Sequence, residues 1–582
     1  MAVALAGGVA GDRTAAPAAS RLVPALAVMS LGLLVVLVHR RVLGTFFALD
    51  DLVMFQQVHG LAAWPGSPWL WLSGVAWFRV VTPLWGEQPL SYHAAALLLH
   101  ALNACLLGQL ARRWGASRAA AWLAAGLFVA CPLHFTVLLA ATSVGELLAL
   151  LFTLLALARR RADLAAATLI VLALLSKESV LLVPVAALAI PGPGPALRDR
   201  VRRLAPVAIP CAVAGAALLA WGAFTGRLGG HAYAADLGPN VVQNAGRLAG
   251  WSLWAREAIP DLHAGISGAA AWTWSLAAIG LTLLAAVCPV RPLVRAGAAW
   301  WWLAVLPVLP LVGRTYLHYL YVPLAGLALV GAGLFDAATE RSRGRLRRPG
   351  LRGGAAAAAT VLVLAYAALS DRQLGARMAA RMPSVDWPLD PVLRKSEIAR
   401  RSIADVSAAL AGRRAKLVLL LPAAVAERID LGTGRSLGAG TGERYELESV
   451  LDGGRSLCAF VPAVDSVEFA HDFVPGHREF TFFVTEPDGR VADIGSPPHA
   501  HAMLISTLLG NGHVRAAVEY ADRALAGWPG DPECLSVAAF ANERAGSHER
   551  GLELLRELVR VAPGDPLAGP ARRVLAGLAS GG

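Results

Sequence analysis

A chain of 582 residues that is 56% hydrophobic and only 16% charged, with a mean hydropathy of +0.55, is too apolar for a soluble globular protein of ordinary composition. Its net charge of +12, from 52 basic and 40 acidic residues, raises nucleic acid as a partner. The Arg residues instead sit in short loops between apolar runs, where they orient a membrane protein, so nucleic acid is excluded.

The N-terminal apolar run 22–38 follows Arg13 and Arg21 with no small-residue cleavage site after it, which reads as an uncleaved signal anchor. A bilayer core of roughly 30 Å needs about 20 apolar residues per helix. Candidate spans are 22–40, 90–111, 119–138, 142–158, 162–176, 178–192, 204–224, 267–289, 297–312, 315–335 and 354–371, eleven in all. Basic residues at 112–118, 159–161, 198–203, 291–295 and 341–352 fall in alternate loops. They place the N-terminus inside, the C-terminal part outside, and loops 41–89, 132–141, 225–266 and 313–314 on the outer face. His39, Arg40 and Arg41 run against this signal and read as a snorkelling or lipid-phosphate-facing group. Cys105, Cys131, Cys211 and Cys288 lie in apolar runs and no CxxC pair occurs; Cys458 and Cys534 fall in different water-facing domains, so the thiols read as inert rather than bridged.

Ionisable residues at membrane depth are expensive, and four groups of them map to the outer face. The acidic pair Asp50 and Asp51 in FFALDDLVMF suits a general base or a divalent-cation site, or simply a helix N-cap at the membrane surface. Arg79, Glu87, Tyr92, His93, His100 and Asn103 follow. Steps of seven and three put His93, His100 and Asn103 on one helical face, as ligand groups or as interhelical hydrogen bonds. His134 stands in a short outer loop, Glu146 one turn into the next span, and Lys177 with Glu178 in a very short outer loop that suits a phosphate or a mutual salt bridge. The last group is Asn244, Arg247, Arg256, Asp261 and His263, then Arg314, Tyr316, His318, Tyr319 and Tyr321. It suits an anionic lipid headgroup carrying a sugar, or an aromatic belt.

The composition changes near residue 372, which divides the chain into a multi-span membrane part, 1–372, an α/β domain, 373–498, and a helical repeat, 499–582. Strand-like runs occur at 415–421, 456–461 and 479–485, the last followed by the turn EPDGR and by VADIG, a hairpin pattern. In 499–582 a Pro-Gly-Asp-Pro motif recurs with a spacing of 34 residues, and so do Gly512 and Gly546. That period is the tetratricopeptide signature, though two repeats need a neighbour to lean on. The repeat reads as a surface for a protein partner or as a folding cap. The expected fold is therefore mainly α: a polytopic helical membrane protein with a small extracytoplasmic α/β domain and a C-terminal helical repeat.

In this order the motifs resemble the polytopic glycosyltransferases of the C superfamily that use lipid-linked sugars, and most closely the transmembrane and tetratricopeptide-repeat O-mannosyltransferase-like proteins and their bacterial relatives. The matching positions are Asp50 and Asp51; Tyr92, His93 and His100; Pro132, His134 and Glu146; Ser176, Lys177 and Glu178; and HYLYVP at 318–323. Departures are Cys131, Phe135, Thr136, Val144 and His318, two of which remove a cation that the family pattern carries. The resemblance implies transfer of a sugar from a polyprenyl-phosphate donor to a hydroxyl of a protein or glycan acceptor, with inversion. Asp50 and Asp51 supply the base, Asp51 being slightly preferred. Lys177, Arg247 and Arg314 face the phosphate leaving group, with Arg79 as a further cation, and His134 and Glu146 orient acceptor or sugar. His93, His100, Glu178, Tyr319 and Tyr321 complete the expected substrate-binding set. A divalent cation, Mg or Mn, is optional and would sit on Asp50 and Asp51. High Ala, Gly and Arg content points to a GC-rich bacterial genome, hence to an inner membrane with the C-terminal domains in the periplasm. The rival reading is an inactive membrane-anchored scaffold whose repeats bind a partner; a carrier is disfavoured because no internally repeated, broken helix pair is evident.

Overall fold

The computed structural model describes residues 19–48, 50–64, 68–159, 163–190, 197–225, 235–253, 273, 276–281, 291–312, 315–346, 351–381, 387–420, 429–430, 435–436, 446–470, 480–485, 491–495, 497–510 and 512–579. Apolar runs without turn residues become helices, because a chain deprived of water must satisfy its backbone internally. Among the described residues four helices, Leu26–Gly44, Pro89–Arg113, Leu317–Arg341 and Gly354–Ala379, are long and apolar enough to cross a membrane. The pair Arg118–Ala130 and Pro132–Leu139 makes a fifth if its 44° bend is counted within one span. Pro132 has no N–H to continue the ladder, and the chain answers with a 3₁₀ turn, Pro132–His134. The expected span 119–138 is therefore a broken one.

The other expected spans are shorter. Ala141–Leu157 and Leu164–Ser176 extend about 25 Å and 20 Å at 1.5 Å per residue. Run 178–192 is not a spanning α-helix: Pro184 lies at the start of a 3₁₀ segment, Val183–Ala189, only about 14 Å long at 2 Å per residue. Leu204–Leu218 and Pro292–Val308 are likewise short apolar helices, and most of 267–289 lies outside the described residues.

The bundle packs around small residues. Helices Pro292–Val305 and Tyr321–Leu346 cross so closely that a Cβ on Gly297 would lie 2.5 Å from the Gly326 carbonyl oxygen, and one on Gly326 2.6 Å from that of Gly297. Trp300 donates across the crossing to the Val322 carbonyl at 3.0 Å. At one end of the bundle Asp336 accepts from the Ser117 N–H at 2.7 Å and pairs with Arg291 at 3.4 Å, so the Arg-rich loops meet there.

His39, Arg40 and Arg41 do not face lipid phosphate as a group. His39 is fully buried and its Nε2 meets the Val129 carbonyl at 2.9 Å, while Arg40 and Arg41 both pair with Asp371 on the last candidate span. The carboxylate that pairs with both arginines lies 330 positions beyond Arg41 in sequence, which spacing does not reveal.

Beyond that span, Asp390 caps the helix Pro391–Leu410 by accepting from Val392 and Leu393 N–H at 2.9 and 3.0 Å. The helix ends in left-handed Ala411 and Gly412. A four-stranded sheet follows in the order Val464–Ala470, Ala415–Leu420, Phe480–Thr485, Val491–Gly495, the first three parallel and the last antiparallel. Leu417, Val418 and Leu419 are buried, as a central parallel strand requires. The expected strand at 456–461 is instead the helix Arg455–Phe460; the missing strand lies at 464–470. Gly454 at φ +90 turns the chain into that helix, whose Ser456, Leu457 and Ala459 are buried.

Helices Pro497–Gly510, Val514–Gly527, Pro532–Arg544, His548–Val561 and Ala568–Ala579 pack in sequence around one apolar core. The repeated motif has a mechanical meaning. Asp531 caps its helix by accepting from Cys534 N–H at 2.9 Å, and Pro532 occupies the first turn where no N–H is needed. Gly512 and Gly546 both take φ near +80 where the preceding helices stop. The first of these helices rests on the strands Phe480–Thr485 and Val491–Gly495. Cys458 and Cys534 are both free thiols, as are Cys105, Cys131 and Cys211, while Cys288 lies outside the described residues.

Candidate functional site

The acidic pair opens the short helix Asp50–Val58, and its two members live in different surroundings. Asp50 is exposed; Asp51 is fully buried. Asp51 Oδ2 accepts from the N–H groups of Ala48 at 3.2 Å and Ala141 at 3.1 Å, and Oδ1 accepts from the N–H and the hydroxyl of Thr142, both at 2.8 Å. One carboxylate thus caps two helix starts at once, its own and that of Ala141–Leu157. Burial pushes the Asp51 carboxyl up to about 6, against the pull of these hydrogen bonds towards the ionised form.

Thr142 lies one helical turn before Glu146, which is buried at 2% exposure. Ser179 donates to Glu146 Oε2 at 2.7 Å, and Oε1 has no hydrogen-bond partner. Lys177 and Glu178 act on Glu146 through space and stand 4.0 Å from each other. The Lys–Glu turn is positioned from below by the Ser73 hydroxyl, which donates to the Ser176 carbonyl at 2.7 Å. Gly145 makes this fit: a Cβ there would sit 2.9 Å from that same carbonyl oxygen.

Tyr321 and its neighbours close the other side. Its hydroxyl meets His100 Nδ1 at 3.0 Å and accepts from Asn103 Nδ2 at 3.1 Å. Asn103 also donates to the Leu147 carbonyl at 2.9 Å. His134 sits with its ring 4.8 Å from Tyr321 and 4.9 Å from His100, and His39 edges onto His100 at 5.6 Å. Neither ring nitrogen of His134 makes a hydrogen bond of good geometry, although the Phe128 carbonyl is close. Just before Tyr321, His318 stacks on Tyr316 at 5.4 Å and edges onto Tyr319 at 4.4 Å; Lys177 acts on His318 through space. Thr315 donates to Asn244 Oδ1 at 2.6 Å, tying this segment to the helix Pro239–Leu253, where half-buried Arg247 has an unpartnered Nε.

Glu146, Lys177, Glu178, His318 and Tyr319 therefore come together, and His100, His134 and Tyr321 form a buried neighbouring cluster. His93 is apart: it is buried and meets the Thr45 hydroxyl at 3.3 Å. Arg79 is exposed, with its guanidinium 4.9 Å above the Trp64 ring. Arg314, Arg256, Asp261 and His263 lie outside the described residues. Among the described residues no three His, Cys, Asp or Glu side chains are grouped to hold a metal ion, and Asp50 and Asp51 face opposite environments.

The chain matches no protein-family model, no curated protein and no solved structure.

Two participants escaped the sequence reading. Arg377 is buried, pairs with Asp390 at 2.5 Å, donates to the Thr136 hydroxyl at 3.1 Å and lies 5.2 Å over the Phe135 ring. It pins the segment that carries His134 to the start of the α/β domain. That domain also covers the helix Asp50–Val58: Gln56 donates to the Ser456 hydroxyl at 3.0 Å, Phe460 packs 5.1 Å from Phe55, and Ser396 donates to the Phe46 carbonyl at 2.8 Å. Arg377 stood past the expected last span, and Ser456 in an expected strand, so neither carried a signal.

Proposed function

We propose that this chain is a membrane glycosyltransferase moving a sugar from a polyprenyl-phosphate donor to a hydroxyl of a protein or glycan acceptor, with inversion at the anomeric carbon. What supports it most is the pairing of one exposed carboxylate, Asp50, with the half-buried Ser179, Lys177 and Glu178 gathered around buried Glu146, linked through the turn that Asp51 holds. Asp50, open to solvent, takes the acceptor proton. Asp51, already committed to four hydrogen bonds, holds the turn in place, so the base role passes from Asp51 to its neighbour. Lys177 faces the phosphate as charge builds on the leaving oxygen, with Arg247, Arg79 and Arg314 as further cations. Tyr316, His318 and Tyr319 offer ring faces to a sugar or headgroup, and Glu146 orients the acceptor or sugar.

In this reading the membrane part crosses a bacterial inner membrane several times, with the long helices as full spans and the shorter apolar helices completing the bundle. The N-terminus is cytoplasmic, the α/β domain and the repeats are periplasmic, and the repeats are of tetratricopeptide type. A divalent cation is optional. The test is transfer of radiolabelled sugar from polyprenyl-phosphate donors in membranes carrying the wild type, Asp50→Asn or Asp51→Asn. Transfer that depends on donor and disappears in Asp50→Asn, with that variant folded and inserted, supports the assignment; equal labelling in wild-type and mock membranes overturns it.

One observation favours a scaffold instead. An open groove of about 470 Å³ runs between helices Pro497–Gly510 and Pro532–Arg544, lined by Ala502, Met503, Val537 and Leu567. Its rim carries His499 and Glu533, 34 residues apart and 2.6 Å from each other. A protein segment bound there, with no sugar transfer in any membrane, would support that second reading.

A further inference from the structure

The segment between the first two candidate spans carries apolar residues on two faces. It contains a π-helical turn, Trp71–Ala76, continued by the helix Trp77–Trp85. One face is inward: Ser73, Gly74, Phe78 and Val81 are buried. The opposite face holds Trp71, Val80 and Leu84, which are 53%, 64% and 74% exposed. Leu33 and Leu98 on the spanning helices are 60% and 62% exposed, so these residues are as open as side chains that face acyl chains.

Connectivity fixes the occupant. Residues 45–88 join the end of the span Leu26–Gly44 to the start of Pro89–Arg113, so the segment begins and ends at one membrane face. The Trp71–Ala76 turn packs against the apolar helices Val144–Leu157 and Leu164–Ser176, which holds the segment beside the bundle; a helix there that is apolar on its outward side has water, lipid or another protein to meet, and only lipid is continuous with the exposed faces of the two spans that flank it. Its remaining composition fits the boundary. Trp64, Trp77 and Trp85 cluster there, and exposed Arg79 lies over Trp64 with its charge free to reach a headgroup.

We infer that the outward face of residues 71–84, built from Trp71, Val80 and Leu84, is seated among lipid acyl chains at the membrane boundary. Its inward face, through Ser73 and the Ser176 carbonyl, carries the Lys177–Glu178 turn, so the bilayer surface sets the height of that turn. This stands on the spans and the exposed residues, and does not depend on the transferase assignment.

The experiment is photo-crosslinking of the full chain in vesicles of phosphatidylcholine and phosphatidylglycerol, with a diazirine analogue of leucine placed singly at positions 80, 84, 98 and 574. At Leu84 and Leu98 the analogue keeps shape and polarity, and at the exposed Val80 and Val574 it adds one methylene that points outward, so folding is retained. Lipid adducts at 80 and 84 within about threefold of position 98, and at least about tenfold above position 574, are expected for a helix seated at the interface. Adducts at 80 and 84 as scarce as at 574, or adducts to another protein chain in place of lipid, overturn the inference.

Discussion

Replacing Asp51 by Ala removes four hydrogen bonds and orphans the N–H groups of Ala48, Ala141 and Thr142. A buried donor left without a partner costs about 1–3 kcal/mol. Thr142 is only half-buried and regains water, so the sum expected for Asp51→Ala is about 3–5 kcal/mol. Asp51→Asn keeps one oxygen and turns an NH₂ group against two donors, for a loss of about 2–3 kcal/mol. Asp50→Ala loses only an exposed carboxylate in a first helical turn, about 0.3–1 kcal/mol. Equilibrium unfolding in mixed detergent micelles, followed by circular dichroism, measures all three. If Asp50→Ala proves as damaging as Asp51→Ala, or if Asp51→Ala stays within about 1 kcal/mol of wild type, the division of labour within the pair is refuted.

Because burial lifts Asp51 to about 6, above the usual aspartate value near 4, the folded protein keeps a proton there that the unfolded chain releases. The melting temperature of wild type should therefore fall as pH rises from about 4 to about 6 and level off above that, and this slope should vanish in Asp51→Asn. Arg377→Met takes from buried Asp390 the cation it pairs with and should cost about 3–5 kcal/mol, whereas Arg377→Met with Asp390→Asn should recover part of it, as read by the same unfolding assay. Gly297→Ala pushes a methyl into the Gly326 carbonyl and should destabilise by at least about 1–3 kcal/mol; a neutral effect would show that the crossing is looser than described. Glu533→Gln breaks a half-exposed pair with His499 and should shift stability by less than about 1 kcal/mol in a thermal melt.

The long apolar helices were legible because composition alone forces them, and the C-terminal helices because Asp531–Pro532 and Gly546 carry local rules for capping and stopping a helix. The antiparallel pair Phe480–Thr485 and Val491–Gly495 was legible because two strand-like runs flank a turn sequence. What the chain did not disclose were pairings between distant residues. Pro132 marks a break, but only packing shows that the break buries His134 against Tyr321. The run at 456–461 has the apolar content of a strand, yet left-handed Gly454 and the bulk of Phe460 against Phe55 make it a docking helix. In the candidate site the residue types were readable and their division was not: Asp50 and Asp51 are chemically identical neighbours, separated only by which of them meets Thr142. Arg377 is a further case, since an Arg beyond a span looks like a surface charge until Asp390 and Thr136 are placed beside it.

The hydrogen bond from Gln56 to Ser456 joins residues 400 positions apart. At a synthesis rate of about 5–20 residues per second, the helix bearing the acidic pair waits roughly 20–80 seconds for its cover to be made. During that interval Phe47, Phe55 and the loop they shield stand bare, while later helices are still entering the bilayer. Maturation of this region is therefore late even though its first residues are early, and a chain truncated after its last candidate span would carry the acidic pair on a helix whose Phe55 and Gln56 side is uncovered.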